Sequence, residues 1–136
     1  MSIEKGGGNW AIVSTLLEFG ARFWDYEGAD IGRWIMKVIA DISIVPIGVG
    51  VSLSRYVAAC EKVLREAGLE TRLHAYGTNI QGEWDEVFAA IKRCHDAVHE
   101  LGAPRVSTVI KVGTRTDRPQ TMDDKVRSVE SKLDKK

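Results

Sequence analysis

The sequence predicts an α+β domain in which one four-stranded antiparallel sheet carries two long helices on one face. Three observations predict it. Strand-like runs and helix-like runs alternate in the order β-α-β-β-α-β-α from Met36 onward. The two central β runs are separated only by a glycine turn, which makes them a hairpin. The strongest helical stripe lies between that hairpin and the last β run, as a crossover requires.

The first strand is read over Val38–Val45, β-rich and apolar at nearly every second position, and closed by Pro46, Gly48 and Gly50. Ser52 or Ser54 then offers a cap for a helix whose apolar face is Val57, Cys60, Val63, Leu64 and Ala67. Gly68 is placed to end it. Leu69–Tyr76 alternates as a second strand, Gly77 turns the chain, and Thr78–Gln81 forms the third. The second main helix runs from about Glu83 to Leu101, with Trp84, Val87, Phe88, Ile91, Cys94, Val98 and Leu101 on one stripe. Glu83, Asp85 and Glu86 suit the positive end of its dipole, and Gly102 and Pro104 stop it. Val106–Val112 reads as the fourth strand. Thr121–Leu133 reads as a last helix with Met122, Val126, Val129 and Leu133 on one side and a Thr121/Asp124 capping box. This is the ferredoxin-like arrangement.

Two helices cover one face of such a sheet. Alternation assigns Val38, Ala40, Ile42 and Ile44, with Val106, Thr108, Ile110 and Val112, to the more apolar row. The opposite face receives Ile39, Asp41, Ser43, Val45, Ser107, Val109 and Lys111. Its three aliphatic residues point to a second subunit on that face, with the aromatic-rich front segment as competitor.

That front segment, 1–35, holds six of the ten aromatic residues and three basic against five acidic side chains. It reads as an extension of the 36–133 domain, with a helical stripe over 11–24 (Ile12, Leu16, Phe19, Phe23). It lacks the pattern of a signal peptide. A chain of 136 residues with 44% hydrophobic content can bury roughly two-thirds of its unfolded surface without disulfides. Nineteen basic against nineteen acidic side chains, and no stacking aromatics on Val106–Val112, argue against nucleic acid. No apolar run approaches the ~18 residues of a membrane span. Cys60 and Cys94, without paired spacing, point to a reduced, cytoplasmic setting.

No catalytic constellation is evident, so an enzyme is not expected. Gly48-Val49-Gly50 lacks the ending of a phosphate loop. His95 and His99 have a spacing that two imidazoles could use on one metal, but no second ligand pair accompanies them, and no metal or cofactor is expected. The cluster Arg115, Arg118, Lys125 and Arg127 reads as solvated loop and helix surface. Tyr76-Gly77-Thr78-Asn79, beside Ser43 and the Ser52/Ser54 loop, combines a ring, hydroxyls and an amide. That mixture suits a small heteroaromatic ligand, and it equally suits an ordinary hairpin turn.

Several segments in this order are together specific: Ile44-Val45-Pro46-Ile47-Gly48, Ser52-Leu53-Ser54-Arg55-Tyr56-Val57, Tyr76-Gly77-Thr78-Asn79-Ile80, Gly82-Glu83-Trp84-Asp85-Glu86-Val87 and Asp124-Lys125-Val126-Arg127-Ser128-Val129-Glu130. They resemble the YkoF-like family that binds thiamine and hydroxymethylpyrimidine. The resemblance spans about 36–133, and 1–35 departs from the pattern. It implies a ferredoxin-like domain, homo-oligomers (dimers or tetramers), and non-enzymatic binding of thiamine or its pyrimidine moiety. Ser43, Ser52, Tyr76, Gly77, Thr78 and Asn79 are the expected ligand residues. Tyr76 or Trp84 would offer a ring face to the cation, and Asp41 or Glu83 a counter-charge. The competing expectation is an oligomeric regulatory or interaction module without a functional ligand pocket.

Overall fold

A computed structural model of the chain describes residues 35–134; the helix expected over 11–24, and the rest of the extension up to 34, lie outside the described residues. Along the chain come β1 (Lys37–Ile47), α1 (Ser54–Glu66), β2 (Glu70–His74), β3 (Gly77–Glu83), α2 (Trp84–Glu100), β4 (Arg105–Thr114) and α3 (Met122–Leu133). The strands form one antiparallel sheet in the order β2-β3-β1-β4, the ferredoxin-like order that the sequence predicts.

The register explains the two faces. Ala40 lies opposite Ile80 on one side and Val112 on the other, and Ile42 lies between Thr78 and Ile110. Directly opposed residues share a face, so these side chains stand on the side of the sheet that carries α1 and α2. There Ala40, Ile42 and Ile80 build the core with Tyr56, Cys60 and Leu64 of α1 and Val87, Ile91, Cys94 and Val98 of α2, whereas Ile110 and Val112 on β4 stay exposed. Leu64, Ile80, Val87 and Val98 are fully buried, each worth about 1.5–3 kcal/mol of transfer free energy. β1 runs on through Pro46. By then β3 has ended and only β4 flanks β1, so a missing backbone donor is tolerated.

Three local expectations change. The buried face of α1 is Tyr56, Cys60, Glu61 and Leu64, with Ala67 exposed. It is turned from the predicted stripe so that an acidic side chain faces inward. Neither Ser52 nor Ser54 caps α1: Leu53 is the cap residue, with no side-chain cap bond, and the two serine hydroxyls lie 3.3 Å apart. Glu83 does not sit in the first turn of α2 but caps it, accepting from the backbone N–H of Asp85 at 2.9 Å and of Glu86 at 3.2 Å.

The last helix does not join the other two. Its first backbone N–H, from Met122, donates to Gln81 Oε1 at 2.7 Å, and Asp123 pairs with Arg72. Gln81 and Arg72 point to the face opposite α1 and α2, so α3 starts over the open face. Only Met122 of its apolar stripe is buried. Val126, Val129 and Leu133 are 49, 58 and 73% exposed.

The Thr121/Asp124 capping box is present as predicted. The backbone N–H of Thr121, and then its hydroxyl, hold the Asp124 carboxyl below its ordinary value. In the loop before α3, Arg115 donates to Asp117 at 2.5 and 2.6 Å and holds that carboxyl at about 2. Both carboxyls are depressed in the folded state from an ordinary 3.8. Their contribution is therefore complete above about pH 4 and drains as pH falls toward about 2. The expected result is that α3 amides lose hydrogen-exchange protection across that window before the core amides do. Unchanged α3 protection down to pH 2 would contradict it.

Candidate functional site

β3 is the strand around which the polar groups gather, because consecutive residues on it face opposite sides of the sheet. Thr78 points toward the helices and is 5% exposed. Its hydroxyl donates to Glu61 Oε1 across 2.5 Å. Glu61, only 7% exposed on the inner face of α1, has its second oxygen, Oε2, wholly buried and without a hydrogen-bond partner. On the same face Leu73 of β2 is opposite Thr78 in register and is 57% exposed, so the sheet beside the pair is not covered by α1.

Asn79 points the other way. Its amide donates to Asp41 Oδ1 at 3.2 Å, and His74 Nε2 bonds the same oxygen at 2.7 Å. The backbone N–H of Tyr76 donates to His74 Nδ1 at 3.4 Å, so the network assigns the ring proton to Nε2. Ser43 lies on this open face too, one alternation along β1 from Asp41. Tyr76 is 89% exposed at the hairpin tip and Ser52 is exposed before α1. Gly77 is the register partner of His74, and a Cβ there would lie 2.4 Å from the Ile42 carbonyl oxygen.

The structure thus divides the predicted ligand set. Thr78 stands on the helix face; Ser43 and Asn79 stand on the open face; Tyr76 and Ser52 project from loops. One small ligand on one side of the sheet reaches only part of this set. Glu61 is the residue that sequence reasoning missed. The available signal was a lone acidic residue between Cys60 and Leu64, four residues from Val57 and three from Leu64 on an apolar helical stripe.

The remaining candidates are occupied structurally. His95 Nε2 bonds Thr108 on β4 at 2.7 Å, whereas His99 Nδ1 donates to the Ala103 carbonyl at 2.8 Å, so the two rings serve different partners. Among the described residues no group of three metal-ligating side chains converges. Cys60 and Cys94 meet across the α1–α2 contact, each sulfur 3.7–3.9 Å from the other's carbonyl oxygen. Hydrogen bonding to Cys60, reinforced by burial, pushes the Cys94 thiol well above the ordinary range, as befits an inert buried thiol.

A recess of about 700 Å³ opens between Ile39, Gln81, the 113–121 loop and Lys125. By register Gln81 is on the open face, three residues along β3 from Thr78, so this recess does not adjoin the Glu61 pair. Three of its acidic groups have internal work: Glu70 accepts from Gln81, Asp117 holds Arg115, and Glu83 caps α2. Arg127 lies 3.5 Å from Asp124 on the exposed face of α3. The volume is ample, but no buried polar group there lacks a partner. Hydrogen-bonding capacity left over in a buried place marks a site better than volume does. Among the described residues, no helix is long and apolar enough to cross a membrane.

Comparison with known proteins gives a consistent picture. A family model described as Thiamine-binding protein matches residues 40–130. The chain is 67% identical over 99 residues to UPF0045 protein sll0230 of Synechocystis, covering 73% of this chain and 82% of the relative. It is 46% identical to UPF0045 protein ECM15 of Eremothecium gossypii, over 72% of this chain and 94% of that one. The solved structure of protein MJ1052 from Methanocaldococcus jannaschii superposes with a TM-score of 0.67 at 32% identity, over 71% and 98% of the two chains. A Thermotoga maritima protein, TM0486, proposed to act in thiamine biosynthesis or salvage, shares the fold with a TM-score of 0.61 at 18% identity, over 68% and 98%.

Proposed function

The chain belongs to the thiamine-binding protein family, and we propose from this premise that it is a non-enzymatic, cytoplasmic binder of thiamine or its hydroxymethylpyrimidine moiety. The observation that carries the reading is the buried Glu61 carboxylate, held by Thr78 on one oxygen and unmatched on the other. A buried acceptor without a donor is costly and is retained where something supplies the donor. The aminopyrimidine ring of thiamine carries N–H donors, and its thiazolium supplies the positive charge that a buried carboxylate favours. Leu73, exposed beside the pair, offers apolar surface to a ring. Titration of thiamine into the full-length protein is expected to give saturable heat, and Glu61→Gln to weaken binding at least tenfold. Folded protein that shows no saturable heat with either thiamine or hydroxymethylpyrimidine would overturn the reading.

The second element of the proposal is a homo-oligomer, dimer or tetramer. Val109, 68% exposed, and Val45, 38% exposed, lie on the open face, and the outer stripe of α3 starts over the same face. A few hundred Å² of such surface per subunit is worth several kcal/mol at about 25 cal/mol per Å², which needs the helix and the sheet together to outweigh the cost of association. Sedimentation equilibrium is expected to give a multiple of the chain mass, and the double variant Val129→Asp/Leu133→Asp a monomer. A monomeric wild type would refute this part. An oligomer without thiamine binding would favour an interaction module instead.

A further inference from the structure

We propose that Glu61 and Thr78 form an acceptor-only subsite that admits an exocyclic amine on a heteroaromatic ring and rejects the corresponding carbonyl. The inference rests on the reading of the protein as a thiamine binder and names the group by which the ligand is chosen. Thr78 has a single hydroxyl proton, and it is spent on Glu61 Oε1 at 2.5 Å. What Thr78 retains for a third party is lone pairs. As a carboxylate, Glu61 offers only lone pairs, and its Oε2 is the oxygen with no partner. Every hydrogen-bonding valence left at this spot therefore accepts.

An amine at the 4-position of a pyrimidine brings two N–H groups, one for each acceptor. A carbonyl at the same position brings a third set of lone pairs into a place 5–7% exposed, where water cannot intervene. The open-face carboxylate lacks this selectivity, because Asp41 Oδ1 already takes His74 and Asn79 and remains partly in solvent. Discrimination by a buried polar pair is large, because the wrong group leaves the site's own acceptors unmatched.

The test is calorimetric titration of the full-length protein with thiamine and with oxythiamine, which differs by a 4-oxo group in place of the 4-amino group. Thiamine is expected to bind tighter by on the order of 10²-fold. Glu61→Gln, similar in volume but carrying an NH2 group that donates, is expected to bring the ratio close to one, with folding checked by circular dichroism. Equal wild-type affinities for the two ligands would overturn the subsite and leave the thiamine reading standing. Absence of binding by both would overturn subsite and reading together. A wild-type ratio preserved in folded Glu61→Gln would place the selection elsewhere and overturn the assignment. The wild-type comparison needs no variant, so it decides the matter even if Glu61→Gln fails to fold.

Discussion

Gly77→Ala is expected to lower the melting temperature by roughly 10 °C or more, a loss of about 3 kcal/mol. The added Cβ would stand 2.4 Å from the Ile42 carbonyl oxygen and 3.2 Å from its carbon. Both are backbone atoms of the central strand, so no rotamer change relieves the clash. β3 must move away from β1 where Ile42 pairs with Thr78, and that displaces the Glu61–Thr78 contact with it. Gly82 is the internal control. A Cβ there meets Leu69 Cδ2 at 2.7 Å and Val87 Cγ2 at 3.2 Å, both ends of side chains that can shift. Gly82→Ala should therefore cost distinctly less. Thermal denaturation of the two variants decides the order, and a Gly77→Ala protein as stable as the wild type would show that the close approach does not exist. The close approach of β1 thus supplies a structural reason for glycine at position 77, which the sequence motif placed among the ligand residues.

The hairpin, the helix stripe and the last capping box were all legible in the sequence because each is local. Trp84, Val87, Ile91, Cys94 and Val98 repeat at helical spacing and are buried or half-buried along α2. Thr121 and Asp124 need only each other to cap α3. The division of the predicted ligand residues across the sheet was legible too, because Thr78 and Asn79 already open the predicted third strand, Thr78–Gln81. Adjacent strand residues must face opposite sides, so Thr78 and Asn79 cannot serve one face. The destination of α3 was not legible. It depends on Met122 meeting Gln81 and Asp123 meeting Arg72, 41 and 51 residues away in sequence. The inward turn of Glu61 was half legible. Helical phase allows it, but burial of a carboxylate opposes the usual preference, and only a partner such as Thr78 resolves the conflict. Places where local preference yields in this way are where binding sites are expected.

That conflict yields the second large effect. The double variant Glu61→Leu/Thr78→Val is expected to be more stable than the wild type by about 1–3 kcal/mol and to bind no thiamine. A buried polar atom without a partner costs about 1–3 kcal/mol, and Glu61 Oε2 is such an atom in this chain. Replacing the carboxylate and the hydroxyl together removes that cost without creating a new orphan, and apolar side chains of similar shape suit buried positions on elements whose Cys60, Leu64 and Ile80 belong to the core. The single variants separate the contributions. Thr78→Val strips Glu61 of its one donor and should be less stable than the wild type, whereas Glu61→Leu leaves only a small hydroxyl unmatched and should fall between. The expected order of melting temperatures is therefore double variant, Glu61→Leu, wild type, Thr78→Val, with a spacing of about 4–8 °C per kcal/mol. Such an order would mean that the resting protein carries a stability cost at the pair, and that the cost is kept because a ligand amine relieves it. A double variant less stable than the wild type would mean that the carboxylate is satisfied without ligand, and it would remove the energetic basis for assigning the ligand to this face.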